Sequence, residues 1–377
     1  MPKGDLYIGL MSGTSMDAVD TALVQFENDK PNLIAYQQFP IEDTVRTAVR
    51  AINANSTLAE ITKYDAILGN LFAESAQKIL KDATIEGTTI TATEIAAIGS
   101  HGQTVLHLPD DTYPRSLQIG DPNIIAAKTG ITTIADFRRM DIAAGGQGAP
   151  LAPAFHNRVF RKQGTNRLIL NLGGIANITL LPGDLTAEIS GFDTGPGNGL
   201  LDDWNKLHNG TDMDKDGQWA ASGELNQSLL SAMLEDPYFK LPPAKSTGRD
   251  YFNLNWLENC LSSEPNALPT EDVQATLLSL TVESIATTVQ THAAEISEIY
   301  VCGGGAHNAL LMQQLKEKLP KQKIETTQVL GLNPDAVEAV TFAWLARQTL
   351  NNQSGNRTSV TGANAPAILG GLYQSKH

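Results

Sequence analysis

Apolar and polar positions follow two rhythms along this chain, and the switches between them mark its elements. Residues 5–11, 18–26 and 33–40 are dense in apolar and β-branched side chains, which predicts three strands in an antiparallel meander. A helix is expected near 43–54. A longer one over 57–82 carries Leu58, Ile61, Tyr64, Leu68, Leu71, Phe72, Ala76 and Ile79 at helical spacing, a stripe that faces a core. Ile95 to Ile98 reads as a short buried strand ending at Gly99-Ser100-His101. Asp121 and Pro122 form an N-cap and first-turn pair with Gly130 as the stop, and a strand follows over 131–135. The segment AAGGQGAPLAP (143–153) is too rich in Gly, Ala and Pro for regular structure and is expected to be a hinge or binding loop.

The second half repeats the plan. Strands are expected near 167–172, 176–182 and 187–192, and helices near 197–208, 224–235 and 270–293. Strand 298–302, helix 307–318 and strand 323–328 form a βαβ-like unit, and a helix over 334–350 turns Val337, Val340, Thr341, Trp344 and Leu345 inward. Two strand–turn–strand units, each opening about half of the chain, suggest an internal duplication. At 377 residues the chain should fold as two lobes, expected over 1–140 and 141–377, with the last helix able to pack back on the first lobe.

Composition narrows the function classes. A formal charge of −14 argues against a nucleic-acid partner, although a cleft can still be locally positive. No apolar run approaches a membrane span, and no signal-like segment opens the chain. Cys260 and Cys302 make no disulfide framework, so a reduced, cytoplasmic setting is expected, with Cys302 packed in a core strand.

The candidate chemistry gathers at strand ends. In IGLMSGTSMDAVDTALV (8–24), the corner Ser12-Gly13-Thr14-Ser15 offers backbone N–H groups and hydroxyls to a phosphate. Asp17 and Asp20 just beyond it can hold hydrated Mg²⁺; a plain hairpin turn explains the glycine alone. Gly173-Gly174 makes a second such corner in LILNLGGIANITLL, and Gly303-Gly304-Gly305 follows a third apolar run. Asp193, in GFDTGPGN, is expected at a strand's end beside a Gly-Pro-Gly turn that opens a helix. There it can act as a general base, or simply cap the helix. His101 and Gln103 are small-molecule contacts or satisfied loop residues. Of Arg138 and Arg139, just past Asp136, one can hold a carboxylate in bidentate fashion and the other is a solvated surface charge. Lys245-Ser246-Thr247-Gly248-Arg249-Asp250 can close over an anion, or be an ordinary surface loop.

Taken in order, GLMSGTSMDAVD (9–20), SHGQTVLH (100–107), DFRRMDIAAGGQGAPL (136–151), NLGGIANIT (171–179), GFDTGPGN (191–198), KSTGRDYFN (245–253), VCGGGAHN (301–308) and NPDAVEAVTFAWLA (333–346) resemble the anhydro-N-acetylmuramic acid kinase family across essentially the whole chain. That family belongs to the actin, heat-shock chaperone and sugar kinase superfamily. The resemblance implies an α/β fold of two duplicated ribonuclease-H-like lobes. Each lobe would be a mixed five-stranded sheet flanked by helices, with a cleft between the lobes. It implies ATP as phosphoryl donor, Mg²⁺, a sugar substrate, a cytoplasmic role in recycling peptidoglycan sugars, and a homodimer.

By motif match, Gly13, Thr14, Ser15, Met16, Asp17, Ala18, Val19 and Asp20 would surround the ATP phosphates. Gly173, Gly174 and Asn177 would approach them from the other hairpin, and Gly303, Gly304, Gly305 and Asn308 would border the adenosine. Asp193 matches the catalytic base. His101, Gln103, Asp136, Arg138, Lys245, Ser246, Thr247, Gly248 and Arg249 would shape the sugar site. The chain departs from the pattern twice. Leu10 and Met11 stand where superfamily members often carry an Asp, so the metal falls to Asp17 and Asp193, Asp20 or water. Ala18 stands where Gly is expected. The alternatives are a kinase for a free sugar hydroxyl and a nucleotide-dependent clamp, but no client-binding extension follows residue 350.

Overall fold

A computed structural model describes residues 5–13, 16–53, 55–262 and 264–375. The chain separates into two compact units. One runs to Val159 and resumes at Gly331, and the other spans Phe160–Leu330. The division therefore falls later than the expected 140/141. Helix Ala152–Val159 packs on helix Val337–Leu350, and that helix lies on the first sheet, so both belong to the first unit. Among the described residues no helix is long and apolar enough to cross a membrane.

The first unit's sheet runs, edge to edge, Gly371–Tyr373, Thr133–Ala135, Ile95–Ser100, Leu6–Met11, Ala18–Glu27 and Lys30–Pro40. Its last three strands form the antiparallel meander, while Ile95–Ser100 and Thr133–Ala135 run parallel to Leu6–Met11. The short strand Gly371–Tyr373 adds a sixth member, antiparallel to Thr133–Ala135. In the second unit the order is Ser190–Pro196, Ile175–Leu181, Arg167–Leu172, Glu298–Cys302 and Lys323–Thr326, with the same mixture of pairings. Without the added terminal strand, the two sheets share one order and one set of directions, as duplication requires.

Alternation along the strands assigns the faces. Ile8 and Leu10 join Leu68 and Phe72 of helix Leu58–Asp82 in one core, and Thr57 and Glu60 close that helix's start in a reciprocal capping box. On the opposite face, paired Gly9 and Gly99 meet the backbone of helix Val337–Leu350. A Cβ on Gly9 would sit 1.8 Å from the Ala339 carbonyl oxygen, so the helix can lie this close only over glycine. The second core gathers Leu170, Ile178, Leu277, Leu278 and Val301 around helix Thr270–His292.

Segment 143–153 is no loose hinge. Fully buried Asp141 accepts hydrogen bonds from Gly148 N (2.8 Å), Asn356 Nδ2 (2.6 Å) and Thr361 Oγ1 (2.8 Å), and Gln147 N donates to Thr361 O at 2.7 Å. A buried carboxylate with three donors pins the glycines around it.

Candidate active site

In the first unit, the parallel strands Leu6–Met11, Ile95–Ser100 and Thr133–Ala135 deliver their carboxyl ends to one sheet edge, where α/β folds bind ligands. The Ser12 corner, His101-Gly102 and Asp136 follow those ends. Thr14 and Ser15 of the expected phosphate corner lie outside the described residues. Gly13 accepts from Met16 N at 3.1 Å, and Met16 is buried with φ +52°. Ala18 and Val19 already belong to the next strand, and Val19 is core. Asp17 is exposed and paired with Arg46 at 2.7 Å. Asp20 accepts from Tyr36 Oη (2.5 Å) and Gln38 Nε2 (2.9 Å). Burial raises its proton affinity despite those donors, and Asp335 and Asp17 add repulsion.

Asp136 takes φ +62° at the strand's end, and the turn sends the two arginines that follow in different directions. Arg138 turns inward. Its Nε and Nη2 donate to His101 Nε2 (3.1 and 2.9 Å) and its Nη1 to Gly148 O (2.8 Å). His101 therefore accepts at Nε2 and donates from Nδ1 to the Gly102 carbonyl at 2.9 Å. Burial and the neighbouring guanidinium hold its pKa well below 6.5, which keeps the ring neutral, and burial draws Arg138 down to about 10. Arg139 turns outward and grips Asp136 through two contacts, Nε–Oδ1 at 2.7 Å and Nη2–Oδ2 at 2.6 Å.

At this edge lies a cavity of about 380 Å³, walled by His101, Gly102, Gln118, Asp136, Arg139 and Tyr373 among others. Of the expected sugar contacts, His101 and Asp136 reach it. Arg138 and Gln103 do not, because Arg138 is spent behind His101 and Gln103 is buried in the strand pair Gln103–Leu108 and Arg115–Ile119.

Sequence reasoning missed Glu338. It stands in the first turn of helix Val337–Leu350, and burial raises its carboxyl to about 7, with Asp20 raising it further and Arg138 opposing. The signal was present, since Glu338 is the one charged residue in the run 336–346.

In the second unit, the Gly173-Gly174 turn is clamped by backbone. Gly197 N and Gly199 N donate to Gly174 O (3.0 Å each) and Asn198 N donates to Gly173 O (2.8 Å). A Cβ on Gly197 would lie 2.3 Å from Gly173 O, so only glycine fits there. Gly305 packs against Leu172 and Asn198, whereas Gly304 is open. Asn308 caps helix Ala309–Lys318 through Leu311 N at 3.1 Å.

Asp193 was expected at a strand's end, but it lies within its strand. Its strand continues to Pro196 with Asp193 opposite Asn177, and after a register shift Gly195, at φ +148°, pairs with Ala176. Its N donates to Lys245 O (3.1 Å), its Oδ2 accepts from Thr247 N (2.9 Å), and Tyr238 Oη donates to its carbonyl (2.9 Å). Burial pushes the carboxyl up to about 6, partly offset by the Thr247 N–H. The 245–250 loop is committed rather than free. Lys245 Nζ donates to Tyr238 O (3.1 Å) over that ring, and Arg249 pairs with Asp203 (2.5 Å) against Gly174; Ser246 is exposed and Gly248 half-buried. Among the described residues, no three His, Cys, Asp or Glu side chains are grouped to hold a metal. Asp17 is held by Arg46, whereas Asp20 takes only neutral donors and faces other acids. That environment suits a hydrated divalent cation, which needs few protein ligands.

Comparison with known proteins adds to this geometry. The family model for anhydro-N-acetylmuramic acid kinase matches residues 5–375. The anhydro-N-acetylmuramic acid kinase of Coxiella burnetii (strain Dugway 5J108-111) is 50% identical over 375 residues, covering 99% of this chain and 98% of that protein. That of Photobacterium profundum is 48% identical over 376 residues, covering 97% and 98%. Among solved structures, component A of the (R)-2-hydroxyglutaryl-CoA dehydratase of Acidaminococcus fermentans superposes with a TM-score of 0.45 at 10% identity, covering 90% of this chain and 96% of that one.

Proposed function

The chain belongs to the anhydro-N-acetylmuramic acid kinase family, and on that premise we propose how its residues divide the work of the reaction. It is a kinase for 1,6-anhydro-N-acetylmuramic acid, acting in peptidoglycan recycling. The substrate's 1,6-anhydro bridge leaves no free 6-hydroxyl. Asp193 takes a proton from water as the water attacks the anomeric carbon. The C1–O6 bond breaks, and O6 takes the γ-phosphoryl group of ATP. The products are N-acetylmuramic acid 6-phosphate and ADP. The phosphorus stands where a glycosidase places its general acid, so one carboxylate serves where two are usual.

The observation that carries this role is the carboxyl of Asp193. It is fixed by Thr247 N–H through one oxygen, and among the described residues no hydrogen bond reaches its other oxygen. Burial brings it to about 6, so it is ionised at neutral pH yet more basic than a solvated aspartate.

By motif match we assign Gly13 to Asp20, and Gly173, Gly174 and Asn177, to the ATP phosphates. Gly303 to Gly305 border the adenosine. Asp20 would hold Mg²⁺ through water, and the ion, when bound, neutralises phosphate charge. The cavity beside His101 and Asp136 seats the sugar. We assign the enzyme to the cytoplasm and to a homodimer, and sedimentation of the purified protein checks the second.

Incubation with the anhydro-sugar, Mg²⁺ and ATP in ¹⁸O-water should give ADP and a 6-phosphorylated reducing sugar labelled at C1 in the first turnover. Folded protein that produces neither ADP nor phosphosugar overturns the substrate reading. Unlabelled product overturns hydrolytic opening.

A further inference from the structure

Strand Ser190–Pro196 is an edge strand of the second unit's sheet, and a strap following the helical turn Pro237–Lys240 runs beside it. The strap holds Asp193 through two backbone groups, the Lys245 carbonyl and the Thr247 N–H. Between this strap and the last turns of helix Thr270–His292 lies a second cavity, of about 300 Å³. It backs onto the strand that carries Asp193. On its wall, Phe239 is the ring that a Cβ on Gly195 would strike at 2.8 Å, and His292 meets Phe192 edge-on with centroids 6.2 Å apart.

The wall is cationic, in a chain whose formal charge is −14. Lys240 and Lys245 both line it, and among the described residues no carboxylate does. Lys240 is exposed, and among the described residues its ammonium group has no hydrogen-bond or ion-pair partner. Lys245 spends one N–H on the Tyr238 carbonyl and has two left; burial lowers its pKa, which an anion alongside would oppose. Thr287 and Thr291, one helical turn apart, add exposed hydroxyls, while Phe239 and Leu241 supply an apolar side. Ammonium groups and hydroxyls converging in this way suit a tetrahedral oxyanion. The volume, at the small end of ligand sites, and the apolar side leave room for a carbon skeleton behind it.

We propose that this cavity is a regulatory site for the phosphate monoester of a small sugar, and that its occupant fastens the strap that holds Asp193. The strap itself is lightly held. Among the described residues no backbone hydrogen bond fixes Pro242, Pro243 or Ala244, and Ala244 sits at φ +69°. A phosphate bridging Lys240 and Lys245 to Thr291 ties the strap to the helix and steadies both backbone groups on Asp193. The site stands without the proposed reaction; only its effect on turnover rests on Asp193 being the base.

The test uses N-acetylglucosamine 6-phosphate, with inorganic phosphate and N-acetylglucosamine beside it, on protein saturated with the anhydro-sugar and ADP. Calorimetry should show saturable binding of the ester, weaker binding of phosphate and none of the uncharged sugar. Lys240→Glu should raise the Kd of the ester about 10-fold or more, and Thr291→Val a few-fold. Lys321→Glu, at an exposed position off the cavity wall, should leave it unchanged. Hydrogen exchange at the Asp193 and Thr247 amides should slow about threefold or more when the ester binds. Absent saturable binding, an ester no tighter than free phosphate, equal losses in Lys240→Glu and Lys321→Glu, or unaltered exchange would each overturn the proposal. In turnover the ester should raise kcat with the sugar's KM unchanged. Binding and slowed exchange with kcat unmoved would uphold the site and sink the assignment of Asp193 as the base.

Discussion

The two hairpin corners occupy the same place in duplicated sheets yet are built differently. In the first unit, a Cβ on Gly13 would meet nothing within 4 Å among the described residues, and the side chains beside the corner are acids held by Arg46, Tyr36 and Gln38. In the second, the Gly173-Gly174 turn is pressed under the 197–199 backbone, with Arg249 lying on Gly174. Duplication preserved the strand order and let the corners diverge, one open and acidic, the other dense, glycine-built and flanked by a cation. Asp193, the proposed base, sits on the dense corner's side, where neighbouring backbone holds it in place.

If the dense corner carries the chemistry, Asp193→Asn should lower kcat by about two to four orders of magnitude, the scale of losing a general base, with sugar and ATP affinity within a few-fold. Near-normal turnover in that variant would assign the chemistry elsewhere. The corners should also part in stability. Gly197→Ala drives a methyl group into the Gly173 carbonyl and should cost about 1–3 kcal/mol in denaturant unfolding, together with weaker ATP binding. Gly13→Ala should change stability by less than about 0.5 kcal/mol. Comparable losses in both would erase the contrast. Smallest of all is Asp17→Asn, which frees an exposed pair worth about 0.2–1 kcal/mol, an effect that should fade in high salt.

Much of this was legible in the sequence. The meander, the Leu58–Asp82 stripe, the Asp121-Pro122 cap and the βαβ unit follow from periodicity and end signals, which are local. What stayed hidden depends on tertiary pairing. Strand Gly371–Tyr373 is three residues long and is defined by its partner Thr133–Ala135. The pair Gln103–Leu108 and Arg115–Ile119 flanks a polar loop of Pro and Asp residues that masks the alternation. The strand through Asp193 carries Gly and Pro, which read as its end although pairing continues to Pro196.

At the site, the family's motifs named segments but could not sort Arg138 from Arg139. Their directions are set by the backbone turn at Asp136, which neighbouring letters do not encode. Glu338 was visible only as an acid out of place in an apolar helix.

The most direct test of Asp193 as the base is the pH dependence of kcat/KM for the anhydro-sugar, measured in the wild type and in Asp193→Asn. A base works only when ionised. Activity should therefore rise with pH through an apparent pKa near 6 in the wild type. The residual activity of the variant should lack that limb. An unchanged limb in the variant, or a wild-type profile flat across that range, would contradict the account.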